Sequence, residues 1–318
     1  MAFQFKRGEP VPRAIRRIVR EQLGFAADQL RNAAPSARHE AVHEARKSIK
    51  KVRAILRLMS GELGPVAGAA NTLLRDLARR LSALRDAAVL VETLDSLKDH
   101  LPDDVNPRLL AQVRARLVRD RARATRGSAA THLPATIAFA LERACERVRS
   151  WPLHTMGFAA LAPGLERAFH RGRKALTHAR KGPSAVVFHE WRKRVKDQWY
   201  HLRLLEGTWT EATRSYERSL KELETCLGDD HNLVVLWHRL AALENTPELA
   251  GLLAVVENRQ KHLRHRALDL GERLYARKPR EFTRHAEELW DAWQAQREGP
   301  GSSPTLRRTA KRARASAA

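Results

Sequence analysis

The pentapeptide His43-Glu44-Ala45-Arg46-Lys47 returns 146 residues later as His189-Glu190-Trp191-Arg192-Lys193. The same offset carries Lys50 onto Lys196, Arg57 onto Arg203 and Leu58 onto Leu204. It then runs without a gap through Leu77 and Leu223, Leu81 and Leu227, Leu90 and Leu236, and Leu94 and Leu240. With a short gap, Leu109-Leu110-Ala111 meets Leu252-Leu253-Ala254, and Arg116, Arg121 and Arg123 meet Arg259, Arg264 and Arg266. The stretch Arg13 to Arg20 has a looser match in Arg167 to Lys174. Leucine spacing recurs by chance among helical sequences, but the histidine and the cations embedded in it do not. Self-similarity on this scale marks a supersecondary unit present twice. The chain reads as two similar halves, 1–150 and 151–298, followed by a basic tail over 299–318.

Between Pro10 and Arg297 the pattern is helical. Leu, Ala, Arg and Glu dominate, and apolar residues return every three or four positions. Breakers fall at Pro35-Ser36, Gly61 to Pro65, Pro102 to Pro107, Gly127-Ser128, Pro152, Pro163-Gly164, Gly182-Pro183, Pro247 and Pro279. They predict helices over 37–60, 67–98 and 107–126 in the first half. Long helices joined by short loops favour antiparallel bundles. The expected fold is all-α: two pseudo-symmetric antiparallel four-helix bundles produced by an internal duplication. Asp229-Asp230 is expected at a helix bend, as a cap or salt-bridge partner in preference to a Mg²⁺ site. The tail over 299–318, rich in Gly, Ser and Ala and charged by Arg307, Arg308, Lys311, Arg312 and Arg314, is expected to be disordered.

The repeated segment is a stripe of cations. With His43 at zero on a helical wheel, Arg46, Lys47, Lys50, Arg53 and Arg57 fall within about 80° of it, at roughly 100° per residue. Ile49, Val52, Ile55, Leu56 and Met59 fall on the opposite side and form the core-facing stripe. The second copy sets His189, Arg192, Lys193, Lys196, Tyr200 and Arg203 against Val195, Leu202 and Leu205. Like charges at i, i+3 and i+4 repel by a few tenths of a kcal/mol, roughly 0.2–0.5 per pair. Glu44 and Glu190 lie off the centre of each stripe. A repeating anion laid along the face would cancel that repulsion and release counterions. Arg suits bidentate phosphate contacts, and Lys adds a point charge. The chain as a whole points the same way, with 59 Lys+Arg against 36 Asp+Glu and a net charge of +23. Charge sign alone does not separate polyphosphate, nucleic acid and an anionic membrane surface.

These residues resemble the signature helices of the CHAD family, the conserved histidine α-helical domain. His43-x-x-Arg46 with Lys50, Lys51, Arg53 and Arg57 resembles the first signature. His189-x-x-Arg192-Lys193-x-x-Lys196-x-x-x-Tyr200-x-x-Arg203 resembles the second. The resemblance spans about Pro10 to Arg297. It implies two four-helix bundles with basic residues lining the surface between them, binding of inorganic polyphosphate, and association with polyphosphate granules, where other granule proteins would be neighbours. The expected ligand-facing set is His43, Arg46, Lys47, Lys50, Lys51, Arg53, Arg57, His189, Arg192, Lys193, Lys196, Tyr200 and Arg203. Repeat-matched cations on flanking helices extend it to Arg13, Arg16, Arg17, Arg20, Arg116, Arg123, Arg171, Lys174, Arg259 and Arg266. Asp197 stands where the first half has Lys51, and Trp199 where it has Arg53, so the second stripe is the weaker one. Many family members carry a triphosphate-tunnel domain ahead of this one. A chain of this length leaves no room for it, and no phosphohydrolase activity is expected.

Catalytic patterns do not survive inspection. His39-Glu40-Ala41-Val42-His43 matches the zinc-protease pattern H-E-x-x-H. The neighbouring cations would repel Zn²⁺, and the second copy has Ala185 in place of His39. No Walker or Rossmann phosphate loop and no nucleophile–base set is present. The expectation is a non-enzymatic protein that uses no metal or cofactor. Non-specific nucleic-acid binding is the alternative, and an enzyme of polyphosphate metabolism a second one. Cys145 and Cys226 are the only cysteines and have no CxxC spacing, as suits a reducing compartment. Residues 1–6 lack an apolar signal core, and no run is long enough to span a bilayer, so the expected location is cytoplasmic, at granules and not in a membrane.

Overall fold

The computed structural model describes residues 3–34, 37–102, 106–126, 128–243 and 246–296. The tail over 299–318 and the breaks at Pro35-Ser36 and Gly127 lie outside the described residues. Among those described, the regular structure is helical throughout. The first half contributes α1 (Val11–Asn32), α2 (Arg38–Leu58), the single-turn α3 (Ser60–Leu63), α4 (Pro65–Arg80), α5 (Ser82–Ser96), α6 (Pro107–Arg126) and α7 (Ser128–Arg147). The second contributes α8 (Ala162–Lys181), α9 (Ala185–Leu204), α10 (Glu211–Ala241), α11 (Pro247–Leu274) and α12 (Pro279–Ala295).

Local chemistry sets these boundaries. Pro65, Pro247 and Pro279 open α4, α11 and α12, where a missing N–H costs nothing. The Ser184 hydroxyl accepts the Val187 N–H at 3.3 Å, and Thr246 accepts that of Leu249 at 3.2 Å, capping α9 and α11. Gly64 takes φ +51° to turn the chain from α3 into α4, a region disfavoured for a residue with a Cβ. Two expectations are corrected. The helix predicted over 67–98 is broken at Leu81, where the Ser82 hydroxyl donates back to the Arg79 carbonyl at 2.6 Å. No bend occurs at Asp229-Asp230. The counterpart α10 runs unbroken, and Asp230 accepts a 2.7 Å hydrogen bond from Arg264 Nε on α11.

The apolar stripes do what their spacing predicts. Ile49, Val52, Ile55, Leu56 and Met59 are at most 1% exposed, and Val195 and Leu202 are fully buried. Each such side chain contributes roughly 1.5–3 kcal/mol on burial. Two cores result. One gathers α1, α2, α4 and α7 around Ile15, Ile18, Leu23, Ile49, Ile55, Leu81, Ile137 and Leu141. The other gathers α8 to α11 around Phe169, Phe188, Trp191, Leu223, Leu236, Leu252 and Val256. Chain order and core membership do not coincide. Val91 and Leu94 of α5 and Leu97 just after it, with Val113 and Leu117 of α6, pack into the second core. Trp290 and Trp293 of α12 pack into the first, joined by Phe3 and Phe5 from the N-terminal segment.

Helices α2 and α9 cross at the centre, so the two cationic stripes are neighbours. His201 donates from Nε2 to the Ala54 carbonyl at 2.9 Å, and Arg57 forms an ion pair with Asp197. At the edge of this junction α8 approaches α2 so closely that a Cβ on Gly164 would stand 2.0 Å from the Leu58 carbonyl oxygen.

Candidate polyanion-binding groove

An open groove of about 620 Å³ runs between the two stripes, within the roughly 300–1,000 Å³ of ordinary ligand clefts. From α2 it is lined by His43, Arg46, Lys47 and Lys50, and from α9 by Arg192, Lys196, Trp199 and Tyr200. Helix α10 closes it with Lys221, Glu224, His231, Asn232 and Val235, and α5 adds Val89. The α2 and α9 cations face one another because each stripe lies opposite its own core face.

Electrostatically the empty groove is under strain. Burial, and then the neighbouring charges of Lys196, Arg46 and Arg192, push the Lys50 ammonium down to about 7. Burial likewise lowers Lys196 and Arg192. Glu224 is the one carboxylate in the lining. Its burial opposes ionisation, yet Lys196 and Lys221 outweigh that and hold it at about 2. Lys196 forms an ion pair with Glu224 Oε1, and Lys221 Nζ donates to Oε2 at 2.7 Å. The two partners do not agree on the value of this contact, because Lys196 ends below an ordinary lysine while Glu224 ends far below an ordinary carboxylate. The net benefit is therefore smaller than the carboxylate alone suggests. Lys50 and Arg192 form no ion pair among the described residues, and the Arg192 Nε is buried without a partner. His189 and His231 meet at the rim, with their Nδ1 atoms 3.1 Å apart. Burial and then Arg192 hold His231 at about 4, and burial and then Lys193 lower His189.

Seven of the sequence-predicted residues thus line one groove: His43, Arg46, Lys47, Lys50, Arg192, Lys196 and Tyr200. Others are engaged elsewhere. Arg16 donates to the carbonyls of Trp151 and Leu153, at 2.7 and 3.4 Å, and Arg17 pairs with Glu9 at 2.7 Å. Arg53 and Arg57 donate to the Asn71 side chain at 2.9 and 3.2 Å. Lys51 lies 5.1 Å over the Phe3 ring. Lys193 pairs with Glu190, Arg203 with Glu206 and Arg266 with Glu222. Arg171 sits with Arg57, Arg167 and Arg194 around Asp197, in a separate small recess. Arg259 borders a neighbouring cleft with Asp229. Arg13, Arg20, Arg116, Arg123 and Lys174 are exposed. The α10 residues Lys221, Glu224 and His231 were not anticipated. Lys221 and Glu224 read as an ordinary i,i+3 surface pair, and only the position of α10 against α9 turns them inward.

Among the described residues no three His, Cys, Asp or Glu side chains are grouped to hold a metal ion, and no helix is long and apolar enough to cross a membrane. No curated protein matches the chain. A solved structure described as the crystal structure of the CHAD domain from the plant Ricinus communis aligns over 91% of this chain and 95% of that one, at 20% identity and a TM-score of 0.50. That likeness speaks for the shared helical fold. The family model for the CHAD domain matches residues 21–241, a span that begins within α1, ends with α10 and contains the whole groove lining. The repeated histidine stripes, the helical fold and this match lead to one conclusion: the chain belongs to the CHAD family.

Proposed function

We propose that this protein binds inorganic polyphosphate in the groove between α2, α9 and α10, without chemical turnover, and does so at polyphosphate granules. One observation carries the reading. Arg46, Lys47, Lys50, Arg192, Lys196 and Lys221 converge on a cleft whose lining holds a single carboxylate. Lys50 and Arg192 make no direct ion pair among the described residues, with Glu224 acting on both only from a distance, and Lys50 is held near 7 by burial and its neighbouring cations. A polyphosphate strand supplies closely spaced anions with no bases to accommodate, and it restores the lysine charge as it enters. The recurrence of helix boundaries at the sequence offset (α2 with α9, and α4–α5 with α10) supports an origin by duplication, with both copies contributing to one site.

The test is a titration with polyphosphate of defined length at physiological salt, using wild type and a Lys50→Glu, Arg192→Glu variant. Charge-assisted hydrogen bonds contribute roughly 1.5–3 kcal/mol each, so losing two should weaken binding about a hundredfold or more. Unchanged affinity would place the site elsewhere. Displacement of polyphosphate by single-stranded or duplex DNA at equal phosphate concentration would favour a nucleic-acid role. Phosphate release in the presence of Mg²⁺ would refute the non-catalytic assignment.

A further inference from the structure

We propose that Lys50 is a site of acylation by acyl phosphates, with the groove cations anchoring the reagent's phosphate beside the lysine amine. The inference rests on the groove being an oligophosphate site, and extends it to a second class of phosphate compound. Three structural observations carry it. Lys50 is half-buried in the groove and makes no hydrogen bond or ion pair among the described residues. Lys47, on the same helix, is exposed and tied to Glu44 at 3.1 Å, while Lys196 and Lys221 are tied to Glu224. Arg46, whose Nη1 donates to the Ala78 carbonyl at 2.7 Å, lies one turn from Lys50 on α2, and Arg192 and Lys196 lie one turn apart on the facing wall, so a phosphate dianion bound between the walls would stand within reach of that one unengaged amine.

The step balances simply. The neutral Lys50 Nζ attacks the carbonyl carbon of the acyl phosphate. A C–N bond forms, the bond from that carbon to the bridging oxygen breaks, and orthophosphate leaves with the electron pair. The proton lost by nitrogen passes to solvent. Nothing is oxidised or reduced. Burial first, and the surrounding cations after it, favour the neutral amine; the bound phosphate opposes them, so attack comes from the fraction of Lys50 that stays neutral, and the cations stabilise the departing phosphate. The product amide lacks the lysine charge, so acylation removes a cation from the polyanion groove.

Mass spectrometry of the intact chain incubated with acetyl phosphate provides the test. A lysine near 7 is mostly neutral at pH 7.5. The gain in neutral amine over an ordinary lysine, reduced by the lower nucleophilicity of a weaker base, favours Lys50 over Lys47 by about tenfold with a reagent that does not bind, and anchoring of acetyl phosphate in the groove should raise that preference further. Tripolyphosphate should suppress labelling of Lys50 and spare Lys47. Acetic anhydride, which has no phosphate to anchor, should show a smaller Lys50 preference that tripolyphosphate alters less. Equal rates at Lys50 and Lys47, or the same preference with both reagents, would overturn the proposal. A polyphosphate titration on the same sample separates the two readings. Binding without Lys50 selectivity defeats this inference alone, and absence of binding defeats the groove assignment itself.

Discussion

If the groove takes polyphosphate, Glu224, paired with Lys196 and Lys221, competes with it for both ammonium groups, and Glu224→Gln tests that role. The carboxylate is only 5% exposed and receives both Lys196 and Lys221. Its pKa falls from an ordinary 4.5 to about 2. At 1.36 kcal/mol per unit, that is worth up to about 3 kcal/mol of folding stability. The desolvated Lys196 offsets part of this, and a glutamine can still accept a hydrogen bond. A loss of about 1–2 kcal/mol at pH 7 is therefore expected. The folded-state pKa lies below the unfolded one, so this contribution is complete above about 4.5 and disappears as pH falls towards 2. Urea denaturation of wild type and variant from pH 7 to pH 2.5 should show two curves converging at the acid end. Polyphosphate affinity should move the opposite way. Removing the internal anion frees two ammonium groups, so the variant should bind tighter, and its affinity should fall more steeply with salt. If Glu224→Gln bound polyphosphate more weakly while remaining folded, the carboxylate would be orienting the lysines for the ligand, and the substitution argument would be wrong.

Other expectations follow from the same structure. Gly164→Ala places a methyl group 2.0 Å from the Leu58 carbonyl oxygen, a backbone atom that cannot swing away. Separating α8 from α2 should cost about 3 kcal/mol or more, read as a lowered denaturation midpoint with helicity retained. His201 is fully buried, and burial depresses it from 6.5 to about 4, so the folded state resists a proton that the unfolded chain accepts. Wild-type stability should fall by up to about 3 kcal/mol as pH drops from 6.5 to 4, and His201→Gln should remove that part of the slope. Burial lowers both imidazoles of the His189 and His231 pair first, and Arg192 and Lys193 lower them further, joined at His231 by Lys50; an anion beside the pair would oppose those charges and add to Glu190, which already favours protonation of His189. Polyphosphate affinity should therefore rise as pH falls from neutrality towards 4. The double variant His189→Gln, His231→Gln should flatten that profile, and a fully retained profile would assign the proton uptake to other groups.

The helical class and most boundaries were legible because helix propensity and core periodicity are local. The reading over 107–126 coincides with α6, and that over 37–60 extends past α2 by a residue or two. The break at Leu81 was not legible, since no proline or glycine marks it. There a serine hydroxyl returns to the backbone, and α5 leaves to join the other core. The common face of the stripe centres, Arg46 and Lys50 on α2 and Arg192 and Lys196 on α9, was legible from helical angle, and the structure brings both faces to one groove. The ends of the stripe were not. Arg53 and Arg57 lie on the same face of α2, yet Asn71 and Asp197 capture them, and neither partner is near in sequence. Arg17 is likewise engaged by a residue from outside its helix, since Glu9 reaches it from the segment before α1. The contribution of α10 needed tertiary placement. In sequence its Lys221 and Glu224 form a neutral surface pair, and in space they form the third wall.

The exchange of helices between the two cores bears on how a ligand arrives. Helices α5 and α6 leave the first half to pack in the second core, while the tryptophans of α12 return to the first. Swinging α2 away from α9 like a jaw would strip apolar side chains from both cores at once. The shared packing therefore opposes separation of the groove walls, and on the polyphosphate reading a long polymer should be laid in sidewise along the open face instead of being clasped. Such capture would have no closing step to wait for, and its rate should follow the long-range field of a strongly cationic surface, fast in dilute electrolyte and slowed steeply as ions screen it.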